Sequence, residues 1–278
     1  MEPLAAKRAR LRAALEAAAG VMVAFSGGAD SAFLLAAAAE TLGDRAVAAT
    51  GVSPSLAERE LADARAFAAD LGVRHLVVRT FEQERPGYLA NGRDRCYFCK
   101  SELFDVLGPL AAAEGLALAT GTNTDDLGDH RPGQRAAAER GVLTPLADAG
   151  FSKADVRAVS RSMGLRTWDK PAAACLASRV AYGLAVSPAR LSRVERAEAL
   201  VRSLGVAQLR VRDHGDLARV EVPAKDLPGL VAPGARERLA AGLREVGFTY
   251  VTLDLEGFRS GSMNRRPERD RRDPDPRS

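Results

Sequence analysis

Cysteine is scarce: the 278-residue chain has three, Cys96, Cys99 and Cys175. An odd, low count in a long chain argues against a disulfide framework and points to a reducing compartment, with the cytoplasm as the expectation. Aromatic residues make up 5% of the chain, with a single Trp, and no RNA-binding module is recognisable, so no nucleic-acid partner is expected. No apolar run approaches the roughly 20 residues that span a bilayer, and no membrane partner is expected. No G-x-x-x-x-G-K-S/T occurs, which disfavours a P-loop kinase or GTPase. A zinc knuckle wants four ligands, yet there is no second C-x-x-C and no H-x-x-x-H. The three histidines, His75, His130 and His214, are scattered and form no Ser-His-Asp pattern, and His75 reads as structural. Excess charge is also small. The formal net charge is +4, and Arg265–Ser278 supplies +2 of it, with six Arg against four acidic residues. A near-neutral body does not suit a polyanion. Lys7, Arg8, Arg10 and Arg12 followed by Glu16 read as an amphipathic helix, not a signal peptide.

What is present begins at Val21-Met22-Val23-Ala24-Phe25, which runs straight into Ser26-Gly27-Gly28-Ala29-Asp30-Ser31 and a helix-forming stretch. This reads as strand, tight loop and helix start. Adjacent glycines let backbone N–H groups approach a ligand closely, and a helix N-terminus favours an anion such as phosphate. Ser26 and Ser31 add hydroxyl donors, and Asp30 can cap the helix or hold a metal. The plain alternative is an ordinary strand-to-helix turn with Asp30 as its N-cap.

From residue 20 to 120, strand-like segments at 21–25, 46–50, 74–79 and 116–120 alternate with helical stretches at 31–42, 56–71 and 96–113. That alternation predicts an α/β fold with a doubly wound parallel sheet. Ligands in such sheets bind beyond the carboxyl ends of the strands, so Ser26–Ser31, Thr50–Ser53 and Thr120–Asp126 should line one crevice. The register changes after residue 165, where Lys170–Gly183 reads as an extended linker. A helix at 189–204, a hairpin of 206–212 with 217–222, a helix near 234–246 and a strand at 249–253 predict a smaller C-terminal α+β domain. The expected division is 1–168, 169–264 and a disordered tail 265–278.

Cys175 sits between Lys170 and Arg179, cations that would lower a thiol pKa if they folded near it; the bland alternative is a small buried thiol. Cys96-Tyr97-Phe98-Cys99 has the spacing of a metal or redox pair, with a buried structural pair as the competing reading. The three cysteines together would suffice for an iron–sulfur cluster with one open iron. Arg210 and Arg212 alternate onto one face of a strand, opposite Arg219 and Glu221. That arrangement is either a solvated face with weak ion pairs or a bidentate clamp for phosphate or carboxylate.

The hexapeptide resembles the PP-loop of ATP pyrophosphatases (adenine nucleotide alpha hydrolase-like). Further blocks are Asp94–Lys100, Gly121-Thr122-Asn123 to Asp126, Gly128–Gly133, Pro171–Arg179, Arg210-Val211-Arg212 and Gly257–Asn264. With these, the chain resembles the LarE family of ATP-dependent sulfur transferases along nearly its whole length. The resemblance implies ATP with Mg²⁺ at Ser26, Gly27, Gly28, Asp30, Ser31, Gly121, Thr122, Asn123 and Asp126. It implies adenylation of a carboxylate on pyridinium-3,5-biscarboxylate mononucleotide, with release of pyrophosphate, toward the nickel-pincer cofactor of lactate racemase. Sulfur at or near Cys175 would then displace AMP, with Ser178 and Arg179 lining the site and Arg210, Arg212 and Glu221 holding the substrate. Family members with one relevant cysteine sacrifice its sulfur. Those with three, as here, are associated with a 4Fe–4S cluster, the version expected for Cys96, Cys99 and Cys175. Trimer-based homo-oligomers, hexamers included, are implied as well. The alternatives are a PP-loop tRNA thiolase, an NAD synthetase-like amidotransferase and a non-catalytic nucleotide-binding regulator.

Overall fold

A computed structural model describes residues 2–127, 132–171, 174–259 and 263. The tail expected to be disordered, 265–278, and residues 128–131 of the Gly128–Gly133 loop lie outside the described residues. The chain divides into two compact units, Met1–Leu176 with Ala185–Pro188, and Ala177–Leu184 with Ala189–Ser278.

The first unit begins with α1 (Leu4–Ala17) and continues through β1 (Val21–Ala24), α2 (Ala29–Leu42), β2 (Ala46–Val52), α3 (Glu58–Asp70) and β3 (Arg74–Arg79). It continues with α4 (Arg95–Ala113), β4 (Ala117–Ala119), α5 (Pro132–Ala138) and α6 (Lys153–Ser162). The four strands are all parallel in the order β3-β2-β1-β4, with β1 paired to both β2 and β4. Side chains alternate across the sheet. Val21, Val23, Ala46 and Ala48 therefore pack into one buried cluster with residues of α1, α2, α3 and α6. Met22, Ala24, Val47 and Ala49 pack into a second with α4 and α5. Both faces are covered, which explains why β1 is an unbroken apolar run rather than an alternating one. The expected doubly wound sheet is present. Because β2 and β4 flank β1 on opposite sides, the chain leaves the sheet in diverging directions beyond the end of β1, and a crevice opens there.

α6 shows how local sequence sets an element. Ser152 Oγ accepts from the Asp155 N–H at 3.2 Å while the Ser152 N–H donates to Asp155 Oδ2 at 2.9 Å, a reciprocal capping box. Lys7 on α1 donates to the same carboxylate at 2.6 Å, tying the two helices together. These contacts hold the Asp155 carboxyl at about 2, below the usual carboxylate range, with the Lys7 hydrogen bond as the largest cause.

The second unit contains α7 (Pro188–Ser203), β5 (Arg210–Asp213), β6 (Leu217–Glu221), α8 (Ala235–Val246) and β7 (Tyr250–Leu253). β5 and β6 form the expected antiparallel hairpin, and β7 pairs parallel to β6. Val201, Val211, Val220, Leu239, Leu243 and Phe248 form its core.

Candidate active site

β1 ends at Ala24, and the chain turns at Gly27, whose φ of +72° is open to glycine at little cost. Gly28, not Asp30, is the N-cap of α2, which corrects the capping expectation; Asp30 lies in the first turn. The first intrahelical bond runs from the Ala32 N–H to the Gly28 carbonyl at 2.9 Å, so the N–H groups of residues 29–31 stand outside the helix ladder. Ser31 Oγ donates to the Gly28 carbonyl at 3.1 Å and accepts from the Ser26 N–H at 3.3 Å. A ligand anion at this loop would exchange with hydroxyl bonds already made inside it.

The segment after β4 is brought against the same loop. Gly121 is required by close approach, because a Cβ there would lie 2.7 Å from the Ser31 backbone nitrogen. Asn123, fully buried, donates from Nδ2 to Asp30 Oδ1 at 3.1 Å. Its own side-chain oxygen accepts from the Asp125 and Asp126 N–H groups at 3.1 and 3.3 Å. Asp126 is buried and paired with Lys153 at 3.1 Å. Thus Ser26–Ser31 and Gly121–Asp126 form one assembly, as the strand order dictates. Among the described residues, no three His, Cys, Asp or Glu side chains gather into a group able to hold a metal ion.

A cavity of about 130 Å³ opens at the carboxyl ends of β1 and β2, lined among others by Ser26, Thr50, Ser55, Glu82, Cys99 and Cys175. Two larger hollows, of 290 and 450 Å³, lie among α1 and α2 and against α4, and contain neither a thiol nor a PP-loop residue. Size alone does not mark the site; the convergence of chemistry does. The wall is anchored from beneath. Thr50 Oγ1 donates to the Phe25 carbonyl at 2.7 Å and therefore accepts from His75 Nε2 at 2.8 Å, which places the proton of that imidazole on Nε2. His75 is held below its usual range by burial and by the charge of Arg65.

The cysteines separate. Cys99 and Cys175 share the cavity wall, whereas Cys96 is exposed. Burial pushes the Cys99 thiol well above its ordinary range, and the charges of Cys175 and Glu82 push it the same way. Among the described residues no three-ligand group that could hold a metal ion is found, so the structure gives the expected cluster at Cys96, Cys99 and Cys175 no support. Nor are the flanking cations reserved for a thiolate. Lys170 donates to Glu60 at 2.8 Å and Asp63 at 3.3 Å on α3, and Arg179 pairs with Glu198.

In the second unit, the paired arginines are not a solvated face. Arg212 donates to Glu221 Oε2 at 2.8 Å and to the Ser178 carbonyl at 3.1 Å, and Glu221 is fully buried. Arg219 takes the other Glu221 oxygen at 3.0 Å. Glu198 on α7, 2% exposed, accepts from Arg179 at 2.8 Å and Arg202 at 2.9 Å. Burial alone would raise its carboxyl, yet the charges of Arg179, Arg210 and Arg202 hold it below the usual range. Arg179, Arg202, Arg210, Arg212 and Arg219 thus gather around Glu198 and Glu221, with Asp254 a further carboxylate 3.7 Å from Arg219. Arg210 carries the consequence: burial, then repulsion from Arg179 and its neighbours, lowers it to about 10. Its guanidinium lies 5.2 Å from the Phe258 ring centroid, so the described part of the Gly257–Asn264 block packs beside it. An anion brought to this cluster would relieve the repulsion.

The sequence reading named the PP-loop, the cysteines and the hairpin arginines. Ser53 was expected at the crevice and lines it, whereas Glu82, Ser55 and Glu198 were not foreseen. None lies in a motif, and only the apolar faces around Glu198 on α7 hinted that a carboxylate was turned inward.

No protein-family model matches the chain. Three proteins resemble it over most of their length. One is an uncharacterized protein of Synechocystis sp., 48% identical over 245 residues, 88% of this chain and 91% of the relative. The second is the pyridinium-3,5-bisthiocarboxylic acid mononucleotide synthase of Lactiplantibacillus plantarum, 37% identical over 267 residues, 95% of this chain and 96% of the relative. The third is an uncharacterized protein of Methanocaldococcus jannaschii, 28% identical over 244 residues, 86% of this chain and 91% of the relative. The chain belongs to the family of pyridinium-3,5-bisthiocarboxylic acid mononucleotide synthases, the LarE family.

Proposed function

We propose that this protein is an ATP-dependent sulfur transferase that converts a carboxylate of pyridinium-3,5-biscarboxylate mononucleotide into a thiocarboxylate, a step toward a nickel-pincer cofactor. The observation that carries this reading is a thiol, Cys175, on the wall of the cavity that Ser26 of the PP-loop also lines. The named relative, similar over nearly the full length of both chains, supports the same substrate class.

A free carboxylate resists attack by sulfur because its leaving group is poor. ATP, entering as its magnesium complex, turns it into an acyl-adenylate and releases pyrophosphate. The N–H groups of residues 29–31, the N-terminal end of α2 and the hydroxyls of Ser26 and Ser31 would receive the negative charge that develops on pyrophosphate. Gly121–Asn123 would hold the loop in that shape. The Cys175 sulfur then attacks the acyl carbon, its thiol proton passes to a base or to water, and AMP departs, leaving a thioester. Cleavage of the Cys175 Cβ–S bond, with loss of the Cα proton, would release the thiocarboxylate and leave dehydroalanine. The scheme draws on the sulfur of Cys175 itself, because among the described residues no three-ligand group able to hold a metal ion is found. Arg210, supported by Arg212, is the candidate anchor for the substrate phosphate. Arg179 and Glu221 act as buried braces in this scheme, and Ser178 contributes its carbonyl to Arg212. A trimer-based homo-oligomer is the assembly the family resemblance implies.

One experiment tests the scheme. The purified protein is incubated with MgATP and the mononucleotide, and intact mass, AMP and pyrophosphate are measured together. A mass loss equal to H₂S at Cys175, matched one to one by product, is expected. Repeated turnover with Cys175 intact and iron bound would sink the sacrificial step. AMP release without thiocarboxylate under any condition would sink the assignment.

A further inference from the structure

Among the described residues that line the cavity, Glu82 is the only carboxylate. It lies just beyond β3, in a short turn at Glu82–Glu84, and is 3% exposed. Among the described residues no lysine or arginine pairs with it. A buried carboxylate without a cation is costly, so it persists where its hydrogen bonds hold something in place. Its bonds are specific. Ser55 Oγ donates to Oε1 at 2.6 Å, and Ser53 Oγ donates to the same oxygen. The two hydroxyl oxygens lie 2.8 Å apart, and the Ser55 N–H donates to Ser53 Oγ at 3.2 Å. The Ser53–Ser55 turn is therefore cinched onto Glu82.

The other end of that turn reaches the candidate sulfur donor. The Leu176 N–H donates to the Ser55 carbonyl at 2.9 Å. That N–H belongs to the peptide whose carbonyl is contributed by Cys175, so a single residue links the buried carboxylate to the backbone of the thiol. We propose that Glu82 is a positioning residue for Cys175: through Ser55 it fixes the Cys175–Leu176 peptide and keeps the thiol on the cavity wall beyond Ser26. The proposal rests on reading Cys175 as the sulfur-bearing residue for its functional meaning, but not for its geometry. It also separates two steps. Adenylation uses the PP-loop and should not need Glu82, whereas sulfur transfer should.

The test reads Cys175 directly and needs no substrate. The alkylation rate of Cys175 is followed by peptide mass, with exposed Cys96 as the internal reference. Glu82→Ala removes the acceptor, and Ser55→Ala removes the link; each is expected to raise the Cys175 rate roughly five- to tenfold, the equivalent of one hydrogen bond. Glu82→Gln keeps a carbonyl oxygen where the serines donate and should stay near the wild-type rate. With substrate, Glu82→Ala should release pyrophosphate within about twofold of wild type while AMP and thiocarboxylate fall together about tenfold. Should Glu82→Ala fail to fold, Ser55→Ala and Glu82→Gln carry the comparison. An unchanged Cys175 rate in Ser55→Ala, Gln behaving as Ala does, or adenylation and sulfur transfer falling together would each overturn the proposal. Altered alkylation in a protein that never forms thiocarboxylate would leave the positioning intact and overturn the sulfur-transfer reading instead.

Discussion

The two units meet negative charge by opposite means. The first offers backbone N–H groups, a helix end and small hydroxyls around Ser26–Ser31, and its described cavity wall carries one carboxylate, two thiols and a single cation, Lys100. The second packs five guanidiniums around the buried Glu198 and Glu221, with Asp254 beside Arg219. Dipoles fixed in the fold can stabilise charge as it develops and still let an anion go. Fixed guanidiniums hold a phosphate that must stay through the whole reaction. The contrast suggests that the first unit handles the group that leaves and the second the group that remains.

Removing the thiol tests that division most severely. Cys175→Ala should reduce thiocarboxylate formation by at least about a thousandfold, since the attacking sulfur itself is gone. Pyrophosphate release dependent on the mononucleotide should survive, because nothing in the PP-loop assembly is touched. Product assay and phosphate detection on one sample decide it, and retained product would move the sulfur elsewhere.

How much of this was legible differs between the units for a physical reason. Strand and helix positions in the first unit followed from apolar runs and their period, and the PP-loop from two glycines and three oxygen-bearing side chains in six residues. Asp30 stood open between helix cap and metal ligand; Gly28 takes the cap position and Asp30 lies in the first turn. Glu82 was illegible, because its partners lie 27 and 29 residues away on another loop. In the second unit period two placed Arg210 and Arg212 on one face, yet whether that face was wet depended on Glu198, one helix earlier. Alternation reports direction, not what stands opposite.

Breaking a buried pair in the second unit should come next in size. Glu221→Ala leaves Arg212 and Arg219 facing each other without their shared carboxylate, and the expected cost is about 3–5 kcal/mol. Chemical denaturation should show an early transition for that unit, while nucleotide binding in the first unit persists below it. Coincident loss of both would mean the units do not hold charge independently.

Arg210→Ala should act on substrate rather than on stability. A charge-assisted hydrogen bond is worth about 1.5–3 kcal/mol, so KM for the mononucleotide should rise roughly ten- to a hundredfold. Stability should stay level or improve slightly, because burial and like charge already depress Arg210. Titration with the mononucleotide at constant ATP measures the first effect and thermal melting the second. A raised KM for ATP instead would assign the guanidinium to the wrong anion.

The smallest effect concerns the rim of the first unit, where Asp155 joins Lys7 and the α6 cap. Its carboxyl sits at about 2 in the folded protein, against 3.8 for the ordinary group. A depressed folded value contributes stability that is fully present above the unfolded pKa and lost as the pH falls through the folded one. The contribution should therefore be complete at pH 7, decline below about pH 5 and be lost by about pH 1. The side chain is 23% exposed, so solvent screens the pair and about 1 kcal/mol is the expected size. Asp155→Asn should melt a few degrees below wild type at neutral pH, with the gap closing as the pH falls through about 2. The buried Glu198 is depressed in the same direction, so acid should weaken both units. Only the loss at α6 should disappear from the wild-type profile when Asp155 is replaced, and a constant difference between the two proteins at every pH would show that the cap acts through shape and not through charge.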